Sequence, residues 1–314
     1  MTRRNATPIM LLVLALSAPL GGCDATARLT EQEHIQRAKD FEDQGNLKGS
    51  IIELKNAIQK NPDSPQARLL LGQVYLKAGF GAEAEKELAR AEKLGVSRDS
   101  LDPLLGEAWV LMGQYKRILD ELQPADTLSS ANRSRIMALR ASALFKFGKL
   151  REACNLFQAS HAVYASNLQA HWGLAQCAIA ERKMAEARTW LDSALKLNER
   201  QSETWAFIGD LEQLNQNTPN ALAAYQQAVK LVPSNIAALQ SLATLQMMQG
   251  NMTAAQASID AVKKVAPDSI AAKYLQAFQK FQQKKYPEAR DLLQDIFKTA
   301  PEHLPSILLA GSSA

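Results

Sequence analysis

The chain has 314 residues, of which 46% are hydrophobic and only 6% aromatic, and its 36 basic and 32 acidic side chains leave a formal charge of +4. Plentiful Ala, Leu and Gln, with few β-branched and aromatic residues, favour helix over sheet. A charge this near balance, with no concentrated basic face, excludes nucleic-acid binding and polyanion capture by bulk charge.

Arg3 and Arg4 precede an apolar stretch from Ile9 to Leu20, and Leu20-Gly21-Gly22-Cys23 closes it. So short a run does not span a bilayer as a helix, so it reads as a leader rather than a transmembrane anchor. Leu-Gly-Gly-Cys resembles the lipobox of bacterial lipoproteins. That resemblance implies a signal peptide over residues 1–22, acylation of Cys23, and an acylated linker over 23–30. The alternative is an ordinary secretory leader with a chance cysteine. Two or three acyl chains, at about 0.8 kcal/mol per buried methylene, would hold the protein to a membrane. Asp24 resembles the residue that retains enteric lipoproteins on the inner membrane, facing the periplasm. No later segment is apolar and long enough to cross a bilayer.

From residue 31 the chain repeats itself. Small residues fall at Ala38, Gly72, Gly106, Ala141, Ala175, Gly209, Ala243 and Ala277, spaced by 34 and once by 35. Twelve residues after each come Ser50, Ala84, Ile118, Ala153, Ala187, Ala221, Ala255 and Ala289, and four later a bulky partner such as Leu54 or Tyr225. Each unit carries two apolar stretches of helical spacing. Gly45, Gly79, Gly113, Gly148 and Gly250 separate them, supplying the left-handed conformation that stops a helix. Small residues at the two alignment positions let paired helices approach closely. A lone helical hairpin cannot cover its own apolar face, so such units stack.

Trp205, Ile208, Gly209, Ala221, Tyr225, Ala228 and Pro233 in the sixth unit show the pattern most fully. The chain resembles the tetratricopeptide repeat family over residues 31–303. That resemblance implies an all-α, right-handed superhelical solenoid of eight antiparallel helix pairs. The third unit departs from the pattern. Ile118 replaces the small residue, and Pro124 falls where the second helix should run, which predicts a local widening or kink between units three and four. Residues 304–314 read as the start of a truncated ninth unit.

The chemistry of catalysis is poorly represented. His34, His161, His171 and His303 lie on separate units; His161 and His171 are placed where they could approach each other, but they read as surface side chains. The sequence offers no Gly-rich phosphate loop, no G-x-S-x-G elbow and no cofactor motif. The run from Glu83 to Lys93 reads as a solvated helix face. Cys154 and Cys177 fall at similar heights on neighbouring helices, so a disulfide and a pair of buried thiols both fit. A Cα separation beyond about 7 Å excludes the bridge. Two cysteines alone do not make a metal site.

The first helix of each unit lines the concave face of such a solenoid. Projection places Gln73 and Lys77 there, then Arg135 and Phe145, then Gln169, Trp172 and Gln176. Aromatics mixed with amides and cations suit an extended polar partner, either a peptide or a glycan. The Asn/Lys carboxylate clamp of chaperone-binding relatives is missing, because Lys39, Gln73, Glu107 and Ser142 occupy the matching position.

The runs from Gly45 to Pro62 and from Ala67 to Leu76, together with Leu20-Gly21-Gly22-Cys23, resemble the repeat lipoproteins of PEP-CTERM/exosortase systems. This implies a non-catalytic, lipid-anchored scaffold, tied to the membrane through its acylated N-terminus. Its partners would be envelope proteins of an exopolysaccharide or sorting machinery. Direct capture of glycan or peptide on the concave face is the alternative.

Overall fold

A computed structural model describes residues 29–312. The expected leader, Cys23 and Asp24 lie outside them. Among the described residues the fold is all-helical, with seventeen α-helices and no strand, as the repeat pattern requires. Sixteen helices form antiparallel pairs: α1 (Glu31–Asp43) with α2 (Leu47–Lys60), α3 (Pro65–Lys77) with α4 (Gly81–Lys93), α5 (Arg98–Leu111) with α6 (Tyr115–Glu121), and α7 (Ser130–Lys146) with α8 (Leu150–Val163). There follow α9 (Leu168–Ala180) with α10 (Met184–Leu197), α11 (Ser202–Leu214) with α12 (Thr218–Leu231), α13 (Ile236–Met248) with α14 (Met252–Val265), α15 (Ile270–Gln282) with α16 (Tyr286–Thr299), and finally α17 (Leu304–Ser312). None is long and apolar enough to cross a membrane.

Burial explains the sequence register. The small position of every second helix is fully buried, as is Ile118, its large substitute. At Gly209 a Cβ would lie 2.4 Å from the ring of Tyr225, so this helix pair packs too closely for alanine. The turn inside each pair has a left-handed residue. Five are the expected glycines, and the other three are Arg182, Gln216 and Lys284, with φ of 61°, 59° and 59°.

The chain forms two compact units, one ending at Val96 and the other beginning at Ser97. The first holds α1–α4 and is pinned by buried polar pairs. His34 meets Glu53 at 2.6 Å, and Arg68 donates to Glu87 at 2.6 Å, each pair nineteen residues apart. Glu87 is only 8% exposed and also takes a bond from Arg90. The run from Glu83 to Lys93 is therefore not simply a solvated face. A buried carboxylate is stable here because two guanidinium groups replace its water.

The second unit holds α5–α17. Its first pair carries the irregularity expected around Pro124: α6 stops at Glu121 after seven residues, and Pro124 lies beyond it. Arg140 of α7 donates to the carbonyls of Leu119 (2.8 Å) and Leu122, satisfying the C-terminal groups that a shortened helix exposes. Pro103, inside α5, has no N–H for the carbonyl of Asp99. The Asn132 side chain fills that role at 2.9 Å.

Candidate partner-binding groove

The starts of α7 and α9 are tied together by side chains. Asn167, the N-cap of α9, donates to the hydroxyls of Ser134 (2.8 Å) and Ser160 (3.2 Å), and its Oδ1 accepts from the backbone N–H of Gln169. Ser134 is fully buried and also donates to the carbonyl of Ser160. These bonds fix the two first turns side by side, leaving a cavity of 270 Å³ between them. Tyr164, Leu168 and Trp172 are its apolar walls, and Arg135, Ser166 and Gln169 bring polar groups to it.

Trp172 is held rigidly. Its indole N–H donates to Thr204 of α11 at 2.9 Å, and its ring lies 5.7 Å from that of Phe207. Arg135 donates from Nη2 to Glu107 of α5 at 2.6 Å. The side-chain oxygen of Gln169 is buried without a hydrogen-bond partner.

Of the residues projected onto the concave face, Arg135, Gln169 and Trp172 thus come together. Gln176, one turn beyond Trp172, is partly buried and does not line the cavity. Phe145 packs against the core formed by Cys154, Phe157, Leu174 and Cys177. Gln73 and Lys77 belong to the unit ending at Val96, where Lys77 is paired with Glu42. Tyr164, Ser166, Asn167 and Thr204 were not anticipated. The signal for Asn167 is its place thirty-three residues after Ser134, a spacing that Asn235 and Ser202 repeat.

The sulfurs of Cys154 in α8 and Cys177 in α9 stand at bonding distance, 2.06 Å, with Cα atoms 5.8 Å apart. That separation lies within the range a disulfide needs. His161 and His171 correct the surface reading. Their ring centroids are 4.8 Å apart, both meet Trp190 edge-on, and His171 is only 3% exposed. Nδ1 of His171 donates to the carbonyl of Asn167. Desolvation, then the neighbouring His171, holds the His161 imidazole below its usual range. Among the described residues, no three of His, Cys, Asp or Glu are grouped to hold a metal ion.

Stacked helical hairpins around a side-chain-lined groove define a repeat protein of the kind that serves as a scaffold for protein–protein interaction. The sequence model described as "Tetratricopeptide repeat" matches residues 42–98, 144–211 and 214–277, more than half of the chain, and the chain belongs to that family. No curated protein matches it in sequence. Among solved structures it is similar to a tetratricopeptide repeat protein from Parabacteroides merdae, at 18% identity and a TM-score of 0.50, covering 90% of this chain and 98% of the other. It is also similar to the Cut9–Hcn1 hetero-tetramer of the APC/C, at 15% identity and a TM-score of 0.51, covering 78% of this chain and 45% of that one. At such identities the likeness shows the fold alone.

Proposed function

We propose that this protein is a lipid-anchored, periplasm-facing scaffold that holds protein partners in an envelope assembly making or exporting exopolysaccharide, linked to PEP-CTERM sorting. The single observation that carries the scaffold reading is the groove between α7 and α9, where Thr204 holds Trp172, Glu107 pairs with Arg135, and Gln169 stands beside them. The envelope placement is supported by Leu20-Gly21-Gly22-Cys23 and by the likeness of the runs from Gly45 to Pro62 and from Ala67 to Leu76 to repeat lipoproteins. Acylation is tested by labelling cells with radioactive palmitate. Label should enter the wild-type chain and not Cys23→Ala, and label in the variant would contradict the anchor.

Direct glycan capture is the second reading, favoured by the aromatic walls Tyr164 and Trp172 beside Gln169 and Ser166. An oligosaccharide would then change tryptophan fluorescence in the wild type and not in Trp172→Ala. A scaffold ignores sugars and pulls down envelope proteins.

A further inference from the structure

We propose that α17 pairs with the α17 of a second copy of this chain, antiparallel and about a two-fold axis, so that the helix stack closes as a dimer. This goes beyond the scaffold reading and uses none of the groove residues.

α17 has two opposite faces. Ser306, Leu309 and Ala310 turn toward the stack, where Leu309 is 6% exposed and joins the cluster of Tyr274, Ala277, Leu293 and Ile296. At helical spacing, Leu304, Ile307, Leu308 and Gly311 form the stripe on the other side. Leu304, Ile307 and Leu308 are 62%, 45% and 64% exposed, three large apolar side chains on one helix face. Among the described residues, α17 has no second helix across it.

Gly311 indicates what covers that face. Inside the complete pairs, a glycine at this register position is filled from the facing helix. A Cβ at Gly72, Gly106 or Gly209 would lie 2.8, 2.6 or 2.4 Å from the side chain of Leu88, Leu122 or Tyr225. Gly311 falls at the same place, thirty-four residues after Ala277, and has nothing within 4 Å. The slot fits a bulky side chain carried on an antiparallel helix.

α17 itself carries that side chain at the matching distance. Leu304 and Gly311 lie equally far from the midpoint between Ile307 and Leu308. A two-fold axis at that midpoint sets Leu304 of each copy against Gly311 of the other, and Ile307 against Leu308. A two-fold contact requires a patch that complements itself in this way. Charge permits it too, because α17 has no charged residue and like charges do not meet across the axis. Two nine-residue helices bury less than the about 1,000 Å² of a stable interface, so the dimer is reversible.

The test is sedimentation equilibrium of the full chain in detergent, with micelles in excess over protein. A monomer–dimer equilibrium with a Kd on the order of 10 μM is expected. Leu308→Asp should weaken it about tenfold or more. Gly311→Leu separates a specific register from general stickiness. The single chain has open space there, so the variant folds, yet its side chain blocks the seat of Leu304 and should weaken the dimer about tenfold. A non-specific apolar contact would tighten instead. Met248→Ser, which removes a side chain 62% exposed at the end of α13, should leave the equilibrium unchanged. Under mild oxidation, Leu304→Cys chains mixed with Gly311→Cys chains should form a disulfide dimer faster than either variant alone. Monomer at every concentration, tighter association of Gly311→Leu, or no effect of Leu308→Asp would overturn the proposal. Any of these would leave capture of an envelope protein at the groove unaffected.

Discussion

Asn167 donates its side-chain N–H to the hydroxyl of Ser134, thirty-three residues earlier and 2.8 Å away, and Asn235 does the same to Ser202 at 2.8 Å. In each case the serine passes a bond on to a carbonyl twenty-six residues further along, Ser160 or Ala228. The repeat thus carries a polar clasp between successive first helices, buried between Ser134 and Asn167 and part-buried between Ser202 and Asn235. Ser134→Ala leaves the Asn167 amide short of a partner and should cost about 1–3 kcal/mol. Urea unfolding should show this as a lower midpoint with an unchanged slope. Ser142→Ala, which removes a bond to its own helix at Ala138, should shift the midpoint far less.

Gln216 occupies the left-handed turn position that Gly250 fills in the next pair, with φ of 59° against 76°. A side chain there is strained by about 1–2 kcal/mol, and glycine gives back part of this through its greater unfolded-state entropy. Gln216→Gly should therefore stabilise the protein by about 0.5–1 kcal/mol, and Gly250→Ala should destabilise it, both read from thermal melting.

The bridge between Cys154 and Cys177 spans 23 residues and joins the second helix of one pair to the first helix of the next. Closing a loop of that length is worth about 3 kcal/mol through the unfolded chain. Added reductant should lower the melting temperature of the wild type and leave a Cys154→Ala/Cys177→Ala protein unaffected.

Acid should weaken the same seam. His161 is held below its usual 6.5 by desolvation and by His171, so the folded ring resists the proton that the unfolded chain accepts. Its stabilising contribution is complete above about pH 6.5 and is lost as pH falls toward the depressed folded value. His303, lowered by desolvation, acts with the same sign. Urea midpoints should fall between about pH 7.5 and pH 5.5, and His161→Phe should flatten that slope.

Much of this architecture was legible in the sequence because close packing permits little choice. The alanines at 84, 153, 187, 221, 255 and 289 are all fully buried, and a larger side chain has no room at most such positions. Pairing of Arg135, Gln169 and Trp172 was also within reach, since helical projection puts them on one face. What escaped depended on the partner rather than on the residue. Arg182 and Lys284 do not announce a left-handed backbone, and Glu87 looks solvated until Arg68 is placed beside it. An approach of His161 to His171 was open in the sequence, but their packing against Trp190 and the burial of His171 appear only in the fold. Pro103 inside α5 is tolerated because Asn132, from another helix, bonds the carbonyl it strands.

The most direct measurement is site-specific photo-crosslinking in intact cells, with a photoreactive amino acid at Gln169 in the groove or at Gln158 on the exposed side of α8. The scaffold reading predicts a discrete adduct with an envelope protein from position 169 and none from position 158. Adducts of equal strength at both positions, or none at position 169, would contradict it.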